Sequence, residues 1–214
     1  MIEIRRFVCN MLQENTYVVS DDTHEAVVID CGALYDEERQ AIVNYIDSQQ
    51  LKPVHLLCTH GHFDHNFGND TIWHTYGLKP EVAAADEKLM NLKTQVEQMI
   101  GTGYQNDVPP IGRLLTTDDI ISFGTHRLTI LPTPGHTPGS VSFYCREEGI
   151  VFTGDTLFRL SIGRTDFPGG SWAQMTDSLK LLATLPGETK VYCGHGEPTT
   201  IGEERQYNPY VSNR

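Results

Sequence analysis

Short apolar runs separated by polar turns dominate the N-terminal third of the chain. Runs of this length, bounded by turn-forming residues, are typical of β-strands, and we predict three of them at residues 2–8, 16–20 and 26–30. The following segment, 36–48, repeats its apolar positions with helical spacing. Asp36 is its predicted N-cap. Its predicted apolar face consists of Ala41, Ile42, Tyr45 and Ile46.

Strand-like and helix-like segments alternate in the rest of the chain. Further strands are predicted at residues 54–59, 127–133, 140–145, 149–153 and 190–193. Strands followed by helices in both halves of the chain indicate a layered α/β protein.

Two amphipathic helices are predicted among these strands. The first covers residues 86–100, with an apolar repeat at Leu89, Leu92, Val96 and Met99. We expect it to pack on the sheet, and the pattern leaves a lid formed by residues 86–110 as the alternative. The second helix begins at Ser171, which forms a capping-box pattern with Gln174. Its apolar stripe consists of Trp172, Met175, Leu179 and Leu182.

Length and composition narrow the class of protein. The chain has 214 residues, of which 39% are hydrophobic, and we expect a single domain over residues 1–214. A net charge of −12 argues against nucleic-acid binding, which depends on clustered Lys and Arg, and against attachment to a membrane surface. No apolar stretch approaches the roughly 18 residues of a membrane helix, and the N-terminus lacks a signal-peptide pattern. The expected partner is a small molecule.

Five scattered cysteines indicate the compartment. They are odd in number and mostly lie within or at the end of apolar runs, which is typical of buried free thiols in a reducing environment. We therefore expect a cytoplasmic protein. The pattern gives no indication of oligomeric state. The cysteines are Cys9, Cys31, Cys58, Cys145 and Cys193.

Histidine and aspartate follow four of the predicted strands, mostly next to a glycine. Ligands collect at the carboxyl ends of strands in α/β proteins because the sheet fixes the loops there. If these strands share a sheet, seven candidate ligands meet at one edge. They are His60, His62, Asp64, His65, His136, Asp155 and His195.

Five imidazoles and two carboxylates favour zinc, with iron or manganese as alternatives, over a cysteine-based structural zinc site. Seven ligands are too many for one tetrahedral ion and suit two divalent ions that share a carboxylate. Three histidines and an aspartate within six residues would be costly to leave unpaired, which makes this run a strong signal. The other histidines lack this setting and are interpreted as packing or surface residues. They are His24, His55, His74 and His126.

The motifs T-H-G-H-F-D-H, G-H-T-P-G-S, T-G-D-T and G-H-G resemble those of the metallo-β-lactamase superfamily over nearly the whole chain. Residues 157–170 and 194–209 are similar to the short glyoxalase II-like hydrolases. The resemblance implies an αββα four-layer sandwich with the metal site at one edge of the sheets. It also implies that one ion binds the first of two ligand groups, the other ion binds the second, and Asp155 bridges them. The groups are His60, His62 and His136, and Asp64, His65 and His195.

The resemblance favours hydrolysis of a thioester of the S-acylglutathione type. Metal coordination would lower the pKa of a water, and Asp64 is expected to orient the resulting hydroxide. Asp30 ends a predicted strand and is either an acceptor for a ligand imidazole N–H or a turn residue. We expect Arg164 to brace its loop through Asp166, with binding of a substrate carboxylate as the alternative.

Several alternatives stay open. Nineteen residues follow His195, so we expect the C-terminal helical region of full-length glyoxalase II to be missing, which leaves another thioester or an ester as the substrate. A persulfide dioxygenase with a single iron is the second interpretation, and Phe63 favours the hydrolases over it. A lactonase of this fold is the third. Antibiotic hydrolysis ranks lower, because true metallo-β-lactamases lack the bridging aspartate. A non-catalytic metal-binding module is disfavoured by the intact ligand positions.

Overall fold

Two six-stranded sheets form the centre of the molecule. The computed structural model describes residues 1–101 and 103–211, with the side chains of 99 and 100 also outside the described part. The first sheet has the order β1-β2-β3-β4-β5-β6. Its strands are β1 (Glu3–Cys9), β2 (Glu14–Ser20), β3 (Glu25–Ile29), β4 (Lys52–Leu57), β5 (Pro80–Ala83) and β6 (Arg113–Leu115).

The second sheet has the order β14-β13-β10-β9-β8-β7, and a small β11-β12 hairpin lies beside it. The strands are β7 (Ile120–Phe123), β8 (His126–Pro132), β9 (Val141–Cys145), β10 (Ile150–Gly154), β11 (Leu157–Phe158), β12 (Ser161–Ile162), β13 (Lys190–Cys193) and β14 (Thr199–Thr200). Parallel pairing of β3 with β4 and of β10 with β13 points the ends of these strands toward one side of the molecule.

In the described part of the chain, α-helices pack on the outer faces of the two sheets. Ile42 and Ile46 of one helix bury against the first sheet, and Met175 and Leu179 of another bury against the second. Apolar side chains of both sheets interlock between them, as with Tyr17 and Phe152, whose ring centroids are 5.3 Å apart. The predicted αββα four-layer sandwich is therefore confirmed. The helices are α1 (Asp36–Ser48), α2 (Asn69–Tyr76), α3 (Leu92–Ile100), α4 (Trp172–Leu182) and α5 (Ile201–Tyr207).

The start of α1 corrects one prediction. Tyr35, and not Asp36, occupies the N-cap position, and Asp36 is the first helical residue. Glu38 performs the capping, since its Oε2 accepts hydrogen bonds from the N–H groups of Leu34 (2.9 Å) and Tyr35 (3.2 Å). A buried partner for the Glu38 carboxylate, the N–H of Asn10 at 2.8 Å, explains why this side chain replaces the aspartate.

The helix predicted at 86–100 is broken. Residues Ala84–Met90 form a 3₁₀ helix, and α3 begins anew after Asn91, whose side chain accepts a hydrogen bond from the N–H of Thr94. Leu92 and Val96 are buried against Phe63 and Phe67, so α3 packs on the body of the protein. Met99, the last member of the predicted repeat, lies outside the described side chains.

The second predicted cap is present, since Ser171 is the N-cap of α4 and accepts a hydrogen bond from the N–H of Gln174. Trp172 of its predicted stripe is 57% exposed, whereas Met175, Leu179 and Leu182 are buried. All five cysteines are buried and free, as predicted. None of the helices in the described part of the chain is long and apolar enough to span a membrane.

Candidate metal centre

The seven predicted ligands come together at one side of the sandwich, and they come from both sheets. The loop after β4 and a 3₁₀ helix (Phe63–His65) carry the first four, while single ligands follow β8, β10 and β13. These strands do not share one sheet, because β4 belongs to the first sheet and the other three belong to the second. Face-to-face packing of the sheets brings the same strand ends together.

Glycines allow this close approach. Gly154 ends β10 with a φ of +48°, a backbone conformation that residues with a side chain rarely adopt. The chain turns there into Asp155. At Gly194 a Cβ would overlap Asp155 Oδ1 and crowd His65. Larger residues at these two positions would push the strands apart at the cluster.

The ligand atoms form two groups with a carboxylate between them. The possible ligand atoms of each group lie within 4.8 Å of one another. In the first group His62 Nδ1 is 2.8 Å from His136 Nε2. In the second group His195 Nε2 is 3.3 Å from both His65 Nε2 and Asp64 Oδ2. The groups are His60, His62 and His136, and Asp64, His65 and His195.

Asp155 lies between the two groups. Its Oδ1 is 3.2 Å from His65 Nε2, and its Oδ2 is 3.4 Å from His136 Nε2 and 3.6 Å from His195 Nε2. One carboxylate thus faces ligand atoms of both groups.

Hydrogen bonds behind the imidazoles fix which ring nitrogen is free. His136 Nδ1 donates to the carbonyl of Arg164 (2.7 Å), and His195 Nδ1 donates to the carbonyl of Leu12 (3.0 Å). His60 Nδ1 donates to Thr59 Oγ1 (3.0 Å), because the Thr59 hydroxyl itself donates to Asp30. Each of these rings therefore presents the lone pair of Nε2 to the cluster, as metal-binding histidines do.

Two buried atoms of the cluster make no hydrogen bond within the described residues, His60 Nε2 and Asp155 Oδ1. Buried polar atoms normally have a partner, and both of these atoms face the other ligands. A divalent cation would supply that partner. The cluster of histidine and aspartate is therefore suited to a metal.

Charge at the cluster is set by burial and by mutual contact. Burial lowers the pKa of His60 well below its usual range and that of His62 to about 4, so both rings are neutral. Burial opposes the charge of Asp155, but the neighbouring His65 outweighs it and holds the pKa of that carboxyl well below normal. The neutral rings of His60 and His62 and the ionised carboxylate of Asp155 are in the forms that bind a cation.

Asp30 lies behind the cluster. Its oxygens accept hydrogen bonds from the N–H and hydroxyl of Thr59, both at 2.7 Å, and its Oδ2 is 3.0 Å from His65 Nδ1. It also falls in a third candidate group with His60 and His65. Since its oxygens already have these partners, Asp30 orients His65 and Thr59.

Arg164 and Asp166 form an exposed ion pair with two hydrogen bonds of 2.7 and 2.6 Å. The guanidinium carbon of Arg164 also lies 4.0 Å from the centre of the Phe167 ring. The backbone carbonyl of Arg164 is the acceptor for His136, so the loop that the ion pair braces also orients a candidate ligand.

Sequence reasoning missed two buried acids beside the cluster. Asp86 accepts hydrogen bonds from the N–H groups of Gly61 (2.9 Å) and Gly139 (2.7 Å) and from the hydroxyl of Thr137 (2.6 Å). It thereby ties the loop of His60 and His62 to that of His136. Its helical setting in the sequence gave no signal of this. Glu14 is fully buried near His65, and burial raises its pKa well above the ordinary value.

The histidines predicted to lie outside the site do so. His126 is buried between Asp21 and Glu148, 2.9 Å from each, and the others make ion-pair or surface contacts. These are His24, His55 and His74.

A cavity of about 950 Å³ opens over the cluster. Ligand sites of small-molecule enzymes have this size, and they combine apolar walls with a few polar groups. The cavity is lined by candidate ligands from both groups, by Asp155 and by apolar side chains of the surrounding loops.

Comparison with known families agrees with the fold and the cluster. The sequence model of the metallo-beta-lactamase superfamily matches residues 9–195. The chain therefore belongs to the metallo-β-lactamase superfamily, and it has the fold and the His/Asp cluster of a metal-dependent hydrolase.

Two bacterial relatives match along almost their whole length. A probable metallo-hydrolase of Bacillus subtilis is 34% identical over 212 residues, covering 97% of each chain. The hydroxyacylglutathione hydrolase GloC of Haemophilus influenzae is 32% identical over 206 residues, covering 94% of each.

Three solved structures share the fold. The B3 metallo-beta-lactamase BLEG-1 has a TM-score of 0.90 and 33% identity, covering 99% of this chain and all of its own. TTHA1623 in a di-iron-bound form has a TM-score of 0.83 and 34% identity, covering 96% and 99%. ETHE1 from Myxococcus xanthus has a TM-score of 0.80 and 28% identity, covering 99% and 85%.

Proposed function

We propose that this protein hydrolyses thioesters of the S-acylglutathione type with two divalent metal ions, zinc being the expected metal. The observation that carries the proposal is the position of Asp155, whose two oxygens face the ligand atoms of two separate three-residue groups. A relative named hydroxyacylglutathione hydrolase supports the choice of substrate class.

Each group of three ligands would hold one ion, and Asp155 would contact both. Divalent ions bound there would supply Lewis acidity that lowers the pKa of a water and polarises a carbonyl. The first ion would lie among His60, His62 and His136, and the second among Asp64, His65 and His195.

The chain's own residues orient the reaction. Carbonyl and carboxylate acceptors behind the imidazoles of His136, His195 and His65 hold these rings in place. Asp64 lines the cavity with a carboxylate whose pKa is lowered, against the opposing effect of burial, by His65 and His195. Asp64 is therefore ionised and can accept a hydrogen bond that orients the attacking water. The leaving thiolate is a weak base, so it departs without a dedicated acid.

The cellular setting follows from the thiols and the charge. Five buried free cysteines support a reducing compartment, and we propose the cytoplasm. The net charge of −12 supports a small-molecule substrate, with neither nucleic acid nor membrane as a partner.

Two other activities compete with this proposal. A persulfide dioxygenase is supported by the likeness to ETHE1, and β-lactam hydrolysis by the likeness to BLEG-1. Phe63 packs on Phe67 with ring centroids 5.3 Å apart and lines the cavity. We rank thioester hydrolysis first because Asp155 lies between two ligand groups, whereas the single iron of a dioxygenase would need only one ligand group.

A substrate panel on metal-analysed protein tests the proposal. S-lactoylglutathione, S-butyrylglutathione, a butyrate ester, a lactone, a cephalosporin and glutathione persulfide are compared on one preparation. We expect thioester hydrolysis with about two ions per chain, and its loss together with the metal in Asp155→Asn. The matched control is Asp21→Asn, because Asp21 is a buried aspartate remote from the cluster. This variant should retain both hydrolysis and bound metal. Oxygen consumption on the persulfide with one iron per chain would contradict the proposal.

A further inference from the structure

The cavity over the cluster has two chemically different walls. One wall consists of Met11 and Leu12, from the loop between β1 and β2, and of Phe158 and Ile162, from the β11-β12 hairpin. It borders His195, since the carbonyl of Leu12 accepts from His195 Nδ1 and the Phe158 ring centroid is 6.0 Å from that of His195. We call these four residues the apolar wall.

The apolar wall is accessible to a ligand. Met11 and Leu12 are 51% and 48% exposed, although large apolar side chains of soluble proteins are usually buried. Exposed apolar groups next to a cavity mark binding surfaces, because covering them with another apolar group releases water. The wall itself contains no charged or hydrogen-bonding side chain.

A second part of the cavity wall is different. Arg164, Phe167 and Pro168 border His62 and His136 there, with the Phe167 ring 5.5 Å from that of His62. Outside the candidate ligands, Arg164 is the only charged side chain that lines the cavity within residues 1–101 and 103–211. Polar and charged parts of a substrate therefore have partners at Arg164, at Gln95 and Gln98, in the cluster or in solvent, and none on the apolar wall.

We infer that the apolar wall binds an apolar acyl chain, so that the enzyme prefers thioesters of medium-length fatty acyl groups to those of short or hydroxylated ones. This inference rests on the proposed thioester hydrolysis. The reaction itself is unchanged: the oxygen of water bonds to the acyl carbon, the C–S bond breaks, and a carboxylate, a proton and the free thiol result.

The surface beside the apolar wall carries charged side chains. Arg159 lines an adjoining pocket together with Phe158 and Glu197, and Glu197 is paired with Arg6 at 3.0 Å. This pocket shares Phe158 and His195 with the cavity over the cluster, so Arg159 is a nearby cation for an acyl group that ends in a carboxylate. A dicarboxylic acyl group therefore serves as the direct competitor in the test.

The test varies the acyl group while the thiol stays the same. The metal-loaded protein is assayed with S-acetyl-, S-butyryl-, S-hexanoyl- and S-octanoylglutathione, and with S-succinylglutathione as the charged match to butyryl. We expect kcat/KM to rise by up to about fourfold for each added methylene that becomes fully buried. We also expect the butyryl compound to exceed the succinyl compound at least tenfold.

Variants connect the effect to the wall. Replacing Met11 and Leu12 together by serine should flatten the dependence on chain length. Ile120→Ser is the matched control, since Ile120 is an exposed apolar residue (54%) on β7 that does not line the cavity, and it should keep the wild-type dependence.

The outcomes separate the two proposals. Hydrolysis of all thioesters at equal kcat/KM, or a preference for succinyl, overturns the apolar acyl site and leaves thioester hydrolysis standing. A wild-type dependence on chain length in the serine double variant also overturns the site. Absence of hydrolysis across the whole series overturns both proposals.

Discussion

Replacement of Asp86 should weaken metal binding more than any other single change outside the seven candidate ligands. The side chain is fully buried and accepts three hydrogen bonds from the two loops that carry His60, His62 and His136. Its Oδ2 accepts hydrogen bonds from the Gly61 N–H and the Thr137 hydroxyl, and its Oδ1 accepts one from the Gly139 N–H. Both loops therefore depend on one carboxylate for their relative position.

The structure sets the size of the effect. Asp86→Ala leaves three buried donors without a partner, and each should lower the free energy of unfolding by about 1–3 kcal/mol. Their sum approaches the total stability of a typical domain. Asp86→Asn is the better probe, because its oxygen can replace Oδ2 and only the bond from the Gly139 N–H is lost. We expect the asparagine variant to fold with unfolding free energy lowered by about 1–3 kcal/mol.

The assay is calorimetric titration of metal-free protein with zinc, well below the unfolding temperature. Loss of the groups that orient ligands commonly weakens metal affinity by about 10–100-fold, and we expect this in Asp86→Asn for the ion held by the first group. Asp21→Asn is the control. Asp21 is also buried and accepts hydrogen bonds from two loops, through Thr23, Thr125 and His126. It lies at the far end of β2, a strand length of roughly 20 Å from the cluster.

We expect Asp21→Asn to lose stability without losing metal affinity. Wild-type zinc affinity in Asp86→Asn, at a temperature where the variant is folded, would refute the reasoning. Equal weakening in both variants would also refute it, because the effect would then follow global stability.

Three further predictions concern other parts of the chain. Asp155→Ala should lose metal and hydrolysis together, and full activity with two retained ions would contradict its place between the groups. In metal-free protein, burial lowers the pKa of His62 from 6.5 to about 4, so the unfolded chain binds more protons between these values and the free energy of unfolding should fall as pH falls. His62→Gln should flatten that part of the urea-unfolding profile, and an unchanged slope would contradict the shift. Burial raises the pKa of Cys9 and Cys193 to about 12, so a thiol reagent at pH 8 should label all five cysteines only after unfolding, and rapid labelling of native protein would contradict their burial.

The fold and the ligand cluster could largely be predicted from the sequence. Ligands such as His136 and His195 follow a strand and a glycine directly, so local pattern is enough to place them at strand ends. Helix α1 was predicted with its observed bounds because Ile42 and Ile46 repeat at helical spacing. What local pattern does not contain is the assignment of strands to sheets, so the residues alone left open whether the ligands come from one sheet or from both.

Residues whose role depends on distant partners were missed. Asp86 is linked to Gly139 across 53 positions, and its neighbours in the sequence look like those of any polar residue in a helix. Asn91 interrupts the apolar repeat of 86–100 without breaking its spacing, so the end of one helix and the start of the next were not visible. Glu38 replaced Asp36 as the capping group because it also binds the N–H of Asn10, another long-range contact.

The central claim is that one carboxylate and two groups of three ligands hold two metal ions. The number of zinc ions bound per chain, measured by titration of metal-free protein and of its Asp155→Asn variant, tests this claim most directly. The account predicts about two ions in the parent protein and a clear loss of bound metal in the variant. A parent protein that binds none, or a variant that binds two ions with undiminished affinity, would contradict it.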